Sequence, residues 1–421
     1  MLIKIASTLL ALVLAIVLAR TLGPEGYGIY AYIFAIVSVV AIPAQLGLPH
    51  LVVRETAKAQ STENWGAMKG IWRWASAITG VFSLTLMTIG GLFIWLFADM
   101  LSSIQATTLA WGFLLVPLIA LGNLRGAALR GLRHVVQGQL PEHVLRPGLF
   151  IVFLLLLALA LPQRDVTAAE AMELHACAAA VAFLIGGLLL YRHRPKGAAA
   201  AIRPTYDGSV WIRSALPLAL IGGLSLINKH MDILMLGMFN DSADVGRYRV
   251  AVQGGMLVAF GMQAVSLAVA PHFARLHSKG DSSRLQNLVT MSGRGIVFLT
   301  LPVATVLIIF GKEILAIVFG TPFAAASVPL AILAVGQLIN AATGPAATLL
   351  NMTGNERHVA RGVGGAAALN VILNLLLIPP FGINGAAVAT AGSFILMQIL
   401  LRRHTQLSLG IEPLPFFRAR L

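Results

Sequence analysis

Hydrophobic positions along this chain gather into long runs separated by short polar segments. Runs long enough to cross a bilayer occur at about 3–18, 27–48, 71–97, 107–124, 145–161 and 168–191, and again at about 215–239, 248–270, 295–310, 324–350, 362–378 and 385–401. A spanning helix needs about 20 largely apolar residues, so the pattern predicts about twelve transmembrane helices. The first run is read as a retained span and the 20–24 stretch after it as a loop. Pro43, Pro117, Pro217, Pro302 and Pro345 fall well inside runs, where bilayer helices tolerate proline with a bend.

Composition agrees with the pattern. Of 421 residues, 58% are hydrophobic and only 11% charged, and the mean hydropathy is +0.85. About 25% charged residues are expected of a soluble domain. Little chain is left for a catalytic domain outside the membrane, which removes most enzyme classes. The single cysteine, Cys177, excludes an intramolecular disulfide, and the ten histidines show no H-x-x-x-H or H-E-x-x-H pairing, so no metal catalysis is assigned.

Of the 30 basic residues, 24 fall in one set of loops, 5 in the alternate set, and Lys229 alone lies inside a run. The positive-inside rule then places both termini and the basic 192–213 linker in the cytoplasm. The net charge of +14 follows from these loops beside anionic headgroups, and no nucleic-acid partner is expected.

Two halves echo each other. Gly28-Ile29-Tyr30 opens the second run and Gly246-Arg247-Tyr248 the eighth, at an offset of 218, which also relates Gln45 to Gln263. The pattern R-H-V-x-x-G recurs at Arg133–Gly138 and Arg357–Gly362, an offset of 224. Six spans per half is an even number, so the repeats are parallel, as in one class of secondary transporters with a substrate site between lobes. The expected organisation is a six-helix lobe at 1–191, the linker at 192–213, a second six-helix lobe at 214–403 and a cytoplasmic tail at 404–421. No G-x-x-x-x-G-K-[ST] occurs in the chain.

Ala19-Arg20-Thr21-Leu22-Gly23-Pro24-Glu25-Gly26-Tyr27-Gly28, the stretch from Arg130 to Glu142, and Asn370 to Pro379 followed by Phe381-Gly382-Ile383-Asn384-Gly385-Ala386-Ala387 resemble the polysaccharide-biosynthesis flippases. These belong to the multidrug/oligosaccharidyl-lipid/polysaccharide exporter superfamily, which includes O-antigen and lipid II flippases. The resemblance runs over nearly the whole chain. It implies an all-α membrane protein, not an enzyme, that moves a polyprenyl-pyrophosphate-linked oligosaccharide from the cytoplasmic to the periplasmic leaflet by alternating access. It also implies a bacterial cytoplasmic (inner) membrane location, a role in O-antigen, capsule or exopolysaccharide synthesis, the bilayer and polysaccharide polymerase or assembly proteins as partners, and function as a monomer.

A lipid-linked diphosphate needs a polar, cationic path, and the residues supply candidates. Lys229, beside Asn228 in the seventh run, is too deep for easy snorkelling and should face protein or water. Its functional reading is attraction of the diphosphate; the alternative is an ion pair with Asp232 at i, i+3. Arg20 sits in an A-R-x-x-G element that the lipid II branch associates with its substrate cavity, and Arg247 and Arg249 open the eighth run. Arg125, Arg130, Arg133 and Arg146 flank the cytoplasmic loop between spans 4 and 5 and would meet the diphosphate first.

The resemblance to lipid II flippases also implies a coupling-ion site for Na+ at Asp232, Asn370, Asn374, the Ala386 carbonyl and Thr390. Oxygen ligands suit a hard cation, although Asn374 stands where an acidic residue is expected. H+ carried by Asp232 or Glu173 is the competing assignment, and helix-to-helix amide bonding by the asparagines is the structural one. Glu170, Glu173 and His175 lie near the periplasmic end of the sixth run, where wet helix-end groups are the ordinary reading. No other cofactor is expected. Two other functions stand beside flipping: a cation-coupled multidrug exporter of the same superfamily, and a membrane glycan polymerase or ligase, for which the periplasmic loops are short.

Overall fold

The computed structural model describes residues 2–160, 164–195, 197 and 203–414. Parts of the 192–213 linker, with Lys196, and the end of the tail, with Arg418 and Arg420, lie outside the described residues. Among the described residues the structure is helical. In chain order the elements are α1 (Leu2–Gln45), α2 (Leu48–Ser61), α3 (Trp65–Leu96), α4 (Ser103–Gly131), α5 (Val135–Leu140), a π turn (Pro141–Leu145), α6 (Arg146–Ala160) and α7 (Ala168–His193). There follow α8 (Gly208–Phe239), α9 (Ser242–Ser278), α10 (Ser282–Ile309), α11 (Gly311–Val318), a 3₁₀ turn (Thr321–Ala326), α12 (Ser327–Ala342), α13 (Ala346–Met352) and α14 (Glu356–Leu409).

Nine helical stretches among the described residues are long and apolar enough to cross a membrane. They are fewer than the runs because the first two runs share α1 and the last two share α14. The seventh run lies on α8, several of whose side chains are not described. The 20–24 stretch, expected as a loop, is part of α1 instead: only Gly23 leaves helical backbone (φ 65°, ψ −178°). Proline drives its preceding residue to extended ψ yet suits the first turn of a helix, so one glycine suffices to redirect the chain before Pro24. Pro345 instead lies in the break between α12 and α13, after the left-handed Gly344, as the N-cap of α13.

Capping explains where several helices begin. Ser102 accepts from Gln105 N at the start of α4, and Thr167 from Glu170 N at the start of α7, each with the N3 side chain reaching back to the cap. Asn64 and Asp281 cap α3 and α10.

The chain divides into two compact units, Met1–His230 and Met231–Leu421, so most of α8 belongs to the first. In the first unit Leu48, Leu51, Val52, Ile71, Leu124, Ala127 and Trp211 form a buried cluster. In the second, Phe273, Leu285, Val289, Leu349 and Ile411 do the same. Large apolar side chains such as Trp95, Leu159, Phe298 and Ile317 are more than 70% exposed, a costly arrangement in water and an ordinary one against lipid. The chain is a multi-pass membrane protein.

The R-H-V-x-x-G echo has a structural counterpart. In the first unit the His134 ring lies 4.5 Å from that of His193 at the end of α7. In the second, the His358 ring lies 4.5 Å from that of His404 near the end of α14.

Candidate coupling-ion site

The second unit concentrates polar groups around one carboxylate. The two arms of α14 meet at Gly382, whose φ of 53° and ψ of −130° interrupt the helix. Beyond it the arms pack back against each other: a Cβ at Gly385 would lie 2.0 Å from the Leu377 carbonyl oxygen, and one at Gly392 would lie 3.2 Å from Leu373 Cδ1. Only glycine at 385 permits that backbone approach. The first arm carries Asn370 and Asn374, one turn apart on one face, and the second carries Ala386 and Thr390.

Asp232 of α8 receives this face. Asn374 Nδ2 donates to Asp232 Oδ1 at 2.7 Å and to Asn370 Oδ1 at 3.0 Å. Thr390 Oγ1 donates to Asp232 Oδ2 at 2.6 Å, and the Tyr248 hydroxyl of α9 donates to the same oxygen at 3.0 Å. The two hydroxyls lie 3.3 Å apart. Asn370, Asn374, Tyr248 and Ala386 are buried, while Asp232 and Thr390 are half-buried. The carboxylate is therefore met by three hydrogen bonds from α9 and both arms of α14, which offset the cost of holding it away from water.

One oxygen is left over. Among the described residues, Asn374 Oδ1 is buried without a hydrogen-bond partner, an expensive omission beside a carboxylate. One carboxylate with amide and hydroxyl oxygens, one of them unmet, is a donor set that fits a hard monovalent cation. Asp232, Asn370, Asn374 and Thr390 are the side chains that would hold it; Ala386, fully buried one turn before Thr390, offers its carbonyl.

Other candidates take different places. Lys229 and Asn228 are exposed side chains of α8, while His230 between them and Asp232 is buried with its ring edge-on to Phe34. Arg247 pairs with Asp244 at 3.0 Å, and Arg249 is half-buried. Arg20 is exposed on α1. Glu173 is half-buried on α7; Glu170 is committed to the Thr167 cap and to Arg164 at 2.9 Å.

The four arginines near the span 4–5 loop divide. Arg125 donates to the Phe183 carbonyl at 2.8 Å and lies 3.4 Å over the Phe183 ring. Arg146 pairs with buried Glu142 across the π turn at 3.2 Å, Arg130 is half-buried and Arg133 is exposed.

Two features escaped the sequence reading. Tyr248 was visible only as part of a repeat echo, and nothing in the sequence tied it to Asp232, 16 residues away. His175, expected as a wet helix-end group, is buried: it accepts or donates at 2.8 Å with the Tyr30 hydroxyl and stacks 4.7 Å from Phe150.

The polysaccharide biosynthesis protein family matches residues 17–328, about three quarters of the chain. This chain belongs to that family. Among curated relatives, the probable low-salt glycan biosynthesis flippase Agl15 of Haloferax volcanii is 34% identical over 173 residues, 40% of this chain and 36% of that protein. The probable flippase AglR of the same organism is 28% identical over 190 residues, 44% of this chain and 39% of that protein. The chain thus spans well under half the length of these relatives. Two solved structures share its fold: an inward-facing multidrug resistance MATE family transporter of the MOP superfamily, at TM-score 0.79, 14% identity and 96% and 94% coverage of the two chains, and the lipid II flippase MurJ in an inward closed conformation, at TM-score 0.74, 14% identity and 96% and 87% coverage.

Proposed function

We propose that this family member is a flippase, a transporter and not an enzyme, which moves a polyprenyl-diphosphate-linked oligosaccharide from the cytoplasmic to the outer leaflet for glycan assembly. Membership of the polysaccharide biosynthesis family, with relatives named as flippases, supports the substrate class. The single observation that carries the transport reading is the Asp232 carboxylate, held on an apolar helix by donors from both arms of α14 and from α9. Ionisable residues at membrane depth are expensive and mark ion or substrate pathways.

In this reading the exposed Lys229 ammonium on α8 and the exposed Arg20 attract the diphosphate, whose charge cannot cross hydrocarbon alone. Arg130 and Arg133 meet the headgroup on the cytoplasmic side. Arg125 is already engaged by Phe183, which ties α4 to α7, and Arg146 by Glu142 across the π turn. A monovalent cation, Na+ in the first instance, would supply the positive charge that Asp232 otherwise draws from hydroxyl and amide hydrogens. The proposed location is the cytoplasmic membrane of a bacterium or archaeon.

The test is a chromosomal replacement of Lys229 by Ala in the native host. The expected result is accumulation of the lipid-linked intermediate with protein at its normal level. Unchanged surface glycan removes Lys229 from the path, and drug sensitivity without any glycan change in a deletion strain points to a multidrug exporter.

A further inference from the structure

We infer that Tyr248 is a further residue of the Asp232 site, a competing hydrogen donor that sets how tightly the site holds its cation. The inference rests on the reading of Asp232 as a cation ligand and adds what Tyr248 does to that ligand.

The geometry leaves the tyrosine little freedom. Tyr248 is fully buried. Among the described residues its hydroxyl reaches two oxygens, Asp232 Oδ2 at 3.0 Å and Thr390 Oγ1 at 3.3 Å. Both belong to the donor set proposed for the cation. Oδ2 already accepts from both Thr390 and Tyr248, so a cation approaching it competes with these two hydrogens; the phenolic one, once displaced, turns to Thr390, another ligand oxygen. A buried hydroxyl without a partner is costly, so the hydrogen stays on one of the two. The phenol therefore competes with the cation for Oδ2, and the cation-free site is stabilised by the bond that is broken on binding.

The first unit carries a related arrangement, a buried tyrosine hydrogen-bonded to a buried side chain of a long helix. Tyr30 and Tyr248 are related by the 218 offset, and His175 and Thr390 by 215. The Tyr30 hydroxyl lies 2.8 Å from His175 Nδ1, as the Tyr248 hydroxyl lies within hydrogen-bond distance of Thr390 and Asp232. The rings of Phe150 and Phe34 lie 4.7 and 5.3 Å from that of His175. Each unit thus retains a buried tyrosine that reaches a side chain of a long helix, α7 or α14. In the second unit the tyrosine meets a carboxylate, and there the phenol acquires an electrostatic consequence.

The experiment measures binding of ²²Na+ to the purified full chain in nanodiscs, for the unmodified protein, Tyr248→Phe and Tyr30→Phe. The expected result is a Kd about tenfold lower in Tyr248→Phe, equivalent to about 1.4 kcal/mol, with Tyr30→Phe equal to the unmodified protein. A tyrosine that merely packs, or one that ligates the cation, gives equal or weaker binding in Tyr248→Phe, and either result overturns the inference. Absence of binding by the unmodified protein overturns instead the cation reading on which it rests. Should Tyr248→Phe fail to fold, the Na+-induced infrared difference spectrum of the unmodified protein decides: a shift of a tyrosine C–O band is expected, and an unchanged tyrosine band refutes the competition.

Discussion

Replacing Asp232 by Asn separates the electrostatic role of this carboxylate from its structural one. The two side chains have the same shape, and the surroundings can adapt. The asparagine keeps an oxygen facing Asn374 Nδ2, now 2.7 Å from the carboxylate, and turns its amide hydrogens toward the hydroxyls of Thr390 and Tyr248, which can rotate to accept them. Folding loses the difference between charge-assisted and neutral hydrogen bonds, about 1 kcal/mol each, offset by no longer burying a charge. The net change in stability is therefore small, about 1 kcal/mol. Cation binding loses its only carboxylate. A unit-charge attraction at about 4 Å and an effective dielectric constant of about 20 is about 4 kcal/mol, or roughly a thousandfold in Kd. A ligand at 100 times its Kd stabilises the folded state by about 2.7 kcal/mol, so the assay is the melting temperature in NaCl against choline chloride at equal ionic strength. The unmodified protein should melt higher in NaCl. Asp232→Asn should melt within a few degrees of it in choline and show no Na+ shift. A retained Na+ shift in Asp232→Asn refutes the reasoning, because the charge would then be irrelevant to binding.

Three further outcomes follow from other parts of the molecule. Gly385→Val should abolish accumulation of folded protein, because its Cβ would fall 2.0 Å from the Leu377 carbonyl oxygen in backbone that cannot yield; size-exclusion profiles after detergent extraction report it. Tyr30→Phe should lower the melting temperature by an amount equivalent to about 1 kcal/mol, the worth of one buried hydrogen bond, while leaving the Na+ shift intact. Lys229→Glu should slow translocation of a lipid diphosphate far more than Lys229→Gln, with unchanged expression in both, if the side chain acts through its charge; equal rates in a vesicle assay would assign it a structural role.

The layout of apolar runs and the class of fold were legible because the bilayer demands long apolar stretches whatever the packing. The boundaries were less so. The Gly23 and Gly382 breaks read as loops or gaps in hydropathy, but each is a single residue of non-helical backbone that neither adds polarity nor lengthens the chain. Asn370, Asn374 and Thr390 were named through family resemblance, and the structure brings all three to Asp232 or its immediate neighbour. Tyr248 was not legible, since a tyrosine at the start of an apolar run has the same pattern whether it anchors at an interface or donates to a half-buried acid. His175 failed for a related reason: its position near a helix end suggested water, and only the packing of α1, α6 and α7 puts Tyr30 and Phe150 against it. Arg125 and Arg146 looked like loop cations, but partners three-dimensionally close and sequentially unremarkable, Phe183 and Glu142, hold them.

The function proposed for this protein is translocation of a lipid-linked glycan. It is tested most directly by reconstituting the full chain into liposomes that carry a fluorescent polyprenyl-diphosphate oligosaccharide and timing the appearance of the sugar in the opposite leaflet with a membrane-impermeant quencher. The account predicts transfer well above that of empty liposomes, accelerated by a Na+ gradient in the unmodified protein and insensitive to it in Asp232→Asn. Transfer equal to that of empty liposomes would contradict it.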